Sequence, residues 1–130
     1  MKAGAARDVE ELAREVIGAA LEVHRALGPG YLESVYEEAL AIELGLRGLP
    51  FERQRSFALA YKGVPIGEGR LDLLVADSLI VELKTVDTLL PIHTSQALSY
   101  LRALNLNLAL LINFKCATLR QGIKRIIRSS

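Results

Sequence analysis

A nearly unbroken apolar run, Leu108–Phe114, narrows the possible folds of this chain more than any other segment. Its length suits a strand, and apolar residues at consecutive positions put apolar side chains on both faces of that strand. Such a strand is stable only when both of its faces are covered, as happens in a sheet between two layers of helices. We therefore expect a central strand in a sheet that helices flank.

Helical periodicity dominates the first third of the chain. Apolar residues recur at helical spacing from Asp8 to Leu27, and Gly28-Pro29-Gly30 then stops the helix. A second helix is predicted from near Tyr31 to Arg47 or Gly48, and Pro91–Leu104 predicts a third that leads into the apolar strand.

Alternating apolar and polar residues predict strands between and after these helices. One or two are expected from Phe51 to Tyr61, and others at Leu71–Val75, at Leu79–Lys84 and, as a short edge strand, at Gly122–Ile127. The predicted order is helix, helix, about three strands, helix, strand, strand. With 130 residues, 51% of them hydrophobic, the chain is expected to form a single domain over residues 1–130.

Composition excludes several classes of protein. The longest apolar run falls far short of the roughly 20 residues that cross a bilayer, and no apolar segment of a secretory signal follows the charged N-terminus. A cytoplasmic protein without membrane contact is expected. Cys116 is the only cysteine, which excludes an internal disulfide and a thiolate metal cluster from one chain.

Charge is balanced overall but unevenly distributed. The formal net charge is +1, which argues against a protein that coats nucleic acid through bulk positive charge. The last sixteen residues nevertheless hold no acid and five basic residues: Lys115, Arg120, Lys124, Arg125 and Arg128. They predict either a phosphate-binding edge, with Lys124 and Arg125 as substrate contacts, or a solvated basic tail.

Glu82 and Lys84 interrupt the otherwise apolar strand Leu79–Lys84 and lie two residues apart. Alternation along a strand places both side chains on one face. An acid and a base buried there cost stability unless they pair or bind an ion. A functional site is therefore predicted on that face.

Asp72 interrupts the preceding apolar strand, and the hairpin register decides whether it joins Glu82. A two-residue loop, Asp77-Ser78, would place Asp72 opposite Leu83 and away from Glu82. A three-residue loop, Ala76-Asp77-Ser78, places Asp72 opposite Glu82 on the same face. We predict the three-residue loop, or a bulge with the same effect.

Two carboxylates on adjacent strands form a hard-oxygen site of the kind that Mg²⁺ or Mn²⁺ prefers. A metal there would polarise a phosphate oxygen and lower the pKa of bound water. Lys84 is expected to orient or help deprotonate that water and to offset phosphate charge. The combination predicts phosphodiester hydrolysis without a covalent intermediate.

These residues resemble the PD-(D/E)XK nuclease superfamily, with Asp72 as its first acid, Glu82-Leu83-Lys84 as its second half, and Leu71 where the signature has proline. Gly30–Tyr36 reads G-x-x-E-x-x-Y, and the chain from about Glu15 to Arg125 is similar to the small family named after that motif. The resemblance implies an α/β fold with a restriction-endonuclease-like αβββαβ core, a mixed sheet flanked by helices, and an extra N-terminal helix.

The resemblance also implies roles for residues of the second helix. An early helix in this superfamily commonly gives an acid to the metal site, and Glu33 is the matching position. The metal ligands are then Glu33, Asp72 and Glu82. Tyr36 lies one turn later on the same helix face as a supporting or substrate-binding residue, whereas Glu37 and Glu38 are expected to be ordinary surface glutamates.

The third predicted helix contains a further pattern. Gln96 and Tyr100 match the Q-x-x-x-Y helix of the RecB-like branch, and His93 precedes Gln96 by one turn, so all three can face the sheet. Gln96 is expected to position a phosphate or a metal-bound water, with Tyr100 and His93 in support. His24 on the first helix is expected to be a packing or capping residue. An iron-sulfur cluster, found in part of that branch, is excluded by the single cysteine.

The expected function is a Mg²⁺- or Mn²⁺-dependent nuclease that acts on DNA or RNA, with a second copy of the chain or a partner protein to improve its grip. A second interpretation is a nucleic-acid-binding or assembly module with little or no turnover. A third is hydrolysis of another phosphate ester, such as a nucleotide. The intact set of Asp72, Glu82, Lys84 and Gln96 favours the first.

Overall fold

The computed structural model describes residues 8–129, and their elements follow the order that the sequence predicts. They are α1 (Val9–Leu27), α2 (Glu33–Leu46), β1 (Phe51–Tyr61), β2 (Val64–Val75), β3 (Leu79–Lys84), α3 (Pro91–Leu104), β4 (Leu108–Asn113), a short 3₁₀ helix (Leu119–Gly122) and β5 (Ile123–Ile127). From α2 to β4 the order is αβββαβ. The predicted core and its extra N-terminal helix are therefore confirmed.

The five strands form one mixed sheet in the order β1-β2-β3-β4-β5. Strands β3 and β4 are parallel, with α3 as the crossover between them, and the other neighbouring pairs are antiparallel. All residues of β4 are buried. The apolar run therefore forms an interior strand covered on both faces, as its composition predicts.

Helix α1 begins and ends near the positions that the sequence indicates. Asp8 caps its first turn by accepting the N–H of Glu10 at 2.9 Å, and Gly28 ends it with a left-handed φ of 71°. No helix within residues 8–129 combines the length and the apolar character needed to cross a membrane.

Helices cover both faces of the sheet and create two apolar cores. Helices α1 and α2 contribute to the first core, where they meet strand residues such as Leu73, Val81 and Leu110. Helix α3 contributes Ala97 and Leu101 to the second core. Its strand residues include Leu74, Ile80, Ala109 and Leu111. Even-numbered residues of β3 therefore face α3, which places Glu82 and Lys84 on that side.

The β1–β2 hairpin is longer than the sequence indicated. Strand β2 was predicted only from Leu71 but begins at Val64, so Gly67 and Gly69 lie within it. A Cβ at residue 69 would lie 2.2 Å from Cζ of Phe57 on the paired strand. Glycine at this position therefore provides space for the Phe57 ring and does not break the strand.

The same hairpin changes from one core to the other along its length. Leu73 belongs to the α1–α2 core, whereas Leu71, two residues earlier, belongs to the α3 core together with Phe57. Between these levels the β1–β2 register skips the pair of Gln54 and Asp72. This crossing point is the place where side chains from both helical layers can approach Asp72.

Candidate active site

Asp72 and Glu82 meet where the pairing between β2 and β3 ends. The pairing runs from Val75–Leu79 to Leu73–Val81, and its continuation would place Asp72 opposite Glu82. There the Asp72 N–H donates to Oε2 of Glu82 at 2.9 Å, and the Leu83 N–H donates to Oδ2 of Asp72 at 2.8 Å. Each carboxylate thus accepts a main-chain hydrogen bond from the neighbouring strand, which fixes both groups side by side.

The hairpin loop that sets this register has the predicted three residues. Ala76 and Asp77 adopt left-handed φ angles of 50° and 55°, and the Ser78 N–H donates to the Val75 carbonyl at 3.0 Å. This primed type of turn matches the twist of antiparallel strands. The loop length therefore brings Asp72 to the face that carries Glu82.

Burial is the largest cause of a raised pKa in three acids, Glu33, Asp72 and Glu82. Burial is the largest cause for Glu82, whose pKa rises to about 8, and the charge of Asp72 adds to it. Burial also raises the pKa of Asp72, against the lowering effect of the Leu83 N–H. The pKa of Glu33 rises through burial and the charge of Asp72. A cation would relieve the repulsion that these groups share.

Glu33 completes an acidic cluster that consists of Glu33, Asp72 and Glu82, and Lys84 lies near enough to act on all three. Lys84 ends β3 and Glu33 begins α2. The positive charge of Lys84 lowers the pKa of each of the three acids. Among the ion pairs within residues 8–129, none joins Lys84 directly to an acid. The ammonium group therefore lowers these pKa values without a direct ion pair, and no hydrogen bond from within residues 8–129 occupies its donors.

The chemistry of these donors fits a hard divalent cation. Asp72 and Glu82 each spend one oxygen on a main-chain N–H, and a carboxylate has about four acceptor positions. Both keep capacity for Mg²⁺ or Mn²⁺, which often rely on one or two carboxylates and several waters. Within the described part of the chain, no three His, Cys, Asp or Glu side chains are grouped as a ready-made metal site.

Helix α3 brings Gln96 and Tyr100 to the same side of the sheet. The charge of Glu82 raises the pKa of Tyr100, although burial of the hydroxyl is the larger cause, and a hydrogen bond with Gln96 opposes both. The Tyr100 ring packs edge-on against Phe57 at 5.1 Å between centroids. Tyr100 therefore lies near Glu82, and Gln96 lies one turn before it on the same helix.

The two histidines both support the fold. Nδ1 of His93 accepts the Leu90 N–H at 2.9 Å and so caps the first turn of α3. Nε2 of His24 lies 2.9 Å from the carbonyl oxygen of Cys116, which agrees with the packing or capping role expected for it.

Tyr36 is placed in the core and not beside the acids. It is 0% exposed and stacks on Phe114 at 4.5 Å between ring centroids. Its hydroxyl donates to the Gly28 carbonyl at 2.5 Å and accepts the Tyr31 N–H at 3.2 Å. The tyrosine therefore holds the loop that leads into Glu33. It can support the site in this way, but because its side chain is buried it cannot contact a substrate.

Lys124 and Arg125 lie on opposite faces of β5, so the structure separates the pair that the sequence grouped together. Arg125 forms two hydrogen bonds of 2.8 Å with Glu10 on α1. Lys124 pairs with Leu111, which in turn pairs with Glu82. It therefore shares a face with Glu82 two strands away, at roughly 10 Å given the usual strand spacing.

Most of the other basic residues near the C-terminus are engaged within the protein. Lys115 forms an ion pair of 2.5 Å with Asp87, and Nε of Arg128 donates to the Leu106 carbonyl at 2.8 Å. Within residues 8–129, no ion pair or hydrogen bond occupies the side chains of Arg120 and Lys124. Of the five basic residues that predicted a phosphate-binding edge, only these two therefore remain available to a phosphate.

Glu37 is not the ordinary surface glutamate that the sequence predicted. It is only 8% exposed, and its carboxylate accepts hydrogen bonds from Nε of Arg53 at 3.1 Å and from Nε2 of Gln54 at 2.7 Å. The available signal was its position one turn after Glu33, which puts both on one helix face. Glu38, by contrast, is exposed as expected.

Asn113 is a second residue whose role was missed. It is 1% exposed. Its Nδ2 donates to the Val86 carbonyl at 2.8 Å, and its Oδ1 accepts the Val86 N–H at 3.1 Å. A polar residue within the apolar run of β4 was the signal. Asn113 fixes the chain that leaves β3 directly after Lys84.

Comparison with known proteins places this fold and these residues in a family. A model of the PD-(D/E)XK nuclease superfamily matches residues 10–126, whereas the curated proteins and the solved structures yield no match. The narrower resemblance to the family named after G-x-x-E-x-x-Y stays a prediction. Since the match spans nearly all of the described elements, the chain belongs to the PD-(D/E)XK nuclease superfamily.

Proposed function

We propose that this protein is a Mg²⁺- or Mn²⁺-dependent nuclease that hydrolyses phosphodiester bonds of DNA or RNA. The supporting observation is the reciprocal hydrogen bonding that fixes Asp72 and Glu82 side by side, with Lys84 two residues after Glu82. Because the protein itself orders these groups, little rearrangement is needed before catalysis.

In this proposal Asp72 and Glu82 hold the cation, and Glu33 contributes from the start of α2. When bound, a divalent cation supplies Lewis acidity toward a phosphate oxygen and lowers the pKa of water. The raised pKa of each acid supports this assignment, since a dication would favour the ionised carboxylates that now repel one another.

The other residues act on the phosphate and the attacking water. Lys84 offsets the negative charge that grows on the phosphate oxygens and orients the water through its free donors. Gln96 positions the phosphate or the water from α3, with Tyr100 holding its amide. The water oxygen then forms a bond to phosphorus as the P–O bond to the leaving group breaks, and the proton that the water loses passes to the departing oxygen or to solvent.

Lys124 extends the proposed substrate path along the same face of the sheet. Its position two strands from Glu82 suits a phosphate next to the one that is cleaved. Nucleic acid is thus the proposed partner. A second copy of the chain or another protein would widen the short footprint that one domain of this size offers.

Metal-dependent cleavage tests the proposal directly. Mg²⁺ and Mn²⁺ are titrated against single-stranded, duplex and structured DNA and RNA, with the native chain, Lys84→Ala and Asp72→Asn. We expect each substitution to reduce the cleavage rate by at least ~10²-fold, the usual effect of removing one electrostatic contact to a transition state. The matched controls are Lys62→Ala in the β1–β2 turn and Asp77→Asn in the β2–β3 loop, and both should cleave like the native chain.

Three results would contradict the proposal in different ways. Binding of nucleic acid without cleavage on any substrate would favour the binding or assembly module. Hydrolysis of nucleotides but not of polymers would favour the other class of phosphate ester. Cleavage that survives both Lys84→Ala and Asp72→Asn would assign the reaction to another site.

A further inference from the structure

Gln54 departs from strand geometry directly opposite Asp72. Its φ of 50° lies in the left-handed region, and the β1–β2 register passes from Arg53–Leu73 to Arg55–Leu71 without a Gln54–Asp72 pair. Residues with a Cβ rarely adopt this conformation unless their surroundings hold them in it. The cause should therefore be visible among the contacts of the side chain.

Turn geometry, the usual reason for such a conformation, does not apply to Gln54. Within residues 8–129, the other residues besides glycine with positive φ lie in hairpin turns or at the end of α3: Lys62, Ala76, Asp77 and Asn105. Gln54 alone among them lies inside a strand.

The amide of Gln54 binds one carboxylate and lies beside a second. Nε2 donates to Oε1 of Glu37 at 2.7 Å, and Gln54 stands opposite Asp72 across the β1–β2 pair, near enough to lower the pKa of that carboxyl. A glutamine amide has two N–H donors, so it can serve both acids at once. A carboxylate at this position would instead add a further negative charge.

Glu37 provides a fixed anchor for that amide. Its other oxygen accepts Nε of Arg53 at 3.1 Å, and the Arg53 guanidinium also contacts Glu38 on the same helix. Two consecutive residues of β1 therefore bind the buried carboxylate of α2. Glu37, held in this way, anchors the amide of Gln54 on the side of β1 that faces Asp72.

We propose that Gln54 is a positioning residue that fixes the carboxylate of Asp72 in the acidic cluster, with Glu37 and Arg53 as its support. The value of this arrangement for metal binding rests on the proposed nuclease function, whereas the ordering of Asp72 does not. The left-handed backbone turns the glutamine side chain out of the regular strand pattern and onto the two acids.

Two substitutions separate the amide from the backbone conformation. Gln54→Gly removes the side chain and suits the left-handed φ, so the fold is retained. Gln54→Asn keeps an amide and also tolerates this φ, but it is one carbon shorter and cannot bridge both carboxylates. Lys62→Gly is the matched control, because Lys62 has the same left-handed conformation, with a φ of 51°, in the distant β1–β2 turn.

Two measurements are made on each protein. NMR scalar couplings report whether the Asp72 side chain keeps one χ1 rotamer without metal, and calorimetry gives the Kd for Mn²⁺. In both Gln54 variants we expect averaged Asp72 couplings and a Kd about 10- to 100-fold higher, the usual effect of losing a residue that orients a metal ligand. Lys62→Gly should match the native protein in both.

The outcomes distinguish this inference from the proposed function. Native-like Asp72 couplings in both Gln54 variants would overturn the inference whatever the metal affinity. A native protein that binds no Mn²⁺ would count against the proposed function, and the Asp72 couplings would still decide the role of Gln54.

Discussion

The acidic cluster at the end of the β2–β3 pairing and the basic edge at β5 differ in how their charges are balanced. At the basic edge, Arg125 has Glu10 as a partner and nearby Lys115 has Asp87, and of the basic residues on β5 only Lys124 lacks an ion pair within residues 8–129. In the acidic cluster, burial and neighbouring acids raise the pKa of each carboxyl. Within residues 8–129 no basic group forms an ion pair with these acids. A concentration of charge thus indicates function best where the protein supplies no partner for it.

The largest effect on stability should come from Glu82, because its pKa of about 8 lies far above the 4.5 that is usual for a glutamate. The folded state then binds a proton more tightly than the unfolded state, so the contribution of Glu82 to stability is fully present below pH 4.5 and is lost as the pH rises through about 8. The loss is on the order of 5 kcal/mol, at about 1.4 kcal/mol per pKa unit. Urea unfolding in EDTA between pH 4.5 and 9 measures it.

Glu82→Gln should remove most of this pH dependence, since a neutral amide cannot ionise. Glu68→Gln, on the exposed part of β2, is the matched control and should keep it. An equal decline with pH in native and Glu82→Gln proteins would place the responsible group elsewhere and would weaken the contrast between the two charged regions.

A smaller effect is expected when Mg²⁺ or Mn²⁺ is added at pH 8. The cation supplies the charge that the acidic cluster lacks, and at 100 times its Kd it should stabilise the fold by about 2.7 kcal/mol. Thermal unfolding of the native protein and of Asp72→Asn shows the difference. If both proteins gain the same stability, the ion binds outside the cluster.

The smallest effects are expected at Lys124 and Arg125, neighbours on opposite faces of β5. Lys124→Ala should weaken nucleic-acid binding a few-fold and reduce the salt slope of log K by about 1, because one phosphate contact is lost. Arg125→Ala should leave binding unchanged and cost at most about 1 kcal/mol of stability, as for an exposed ion pair. Fluorescence anisotropy at several salt concentrations distinguishes them, and an equal loss of binding in both variants would restore the basic edge as one surface.

Local patterns were sufficient to predict the element order and the strand residues of the candidate site. Alternation along β3 predicted that Glu82 and Lys84 share a face, and the choice of a three-residue loop correctly placed Asp72 opposite Glu82. The length of β2 was wrong because the space that Gly69 provides is filled by Phe57, a residue of another strand. The residues around Gly69 in the sequence do not show that Phe57 will pack against it.

The errors around the site have the same physical origin. Glu37 is buried by Arg53 and Gln54, which lie on a strand that no local pattern connects to α2. Gln54 is neither glycine nor asparagine, so nothing in its neighbourhood predicts a left-handed backbone. For Lys124 and Arg125, alternation would have predicted opposite faces, but treating them as a charge cluster obscured it.

At the end of the β2–β3 pairing, the two strands are joined by hydrogen bonds to the carboxylates of Asp72 and Glu82. The N–H groups of Asp72 and Leu83 are held by carboxylates and not by carbonyl groups. Whatever changes the charge of those carboxylates therefore changes the strength of the two contacts that join the strands there. The hydrogen-exchange rates of these two amides should therefore report whether the carboxylates are protonated or bound to an ion, and no substrate is needed to measure them.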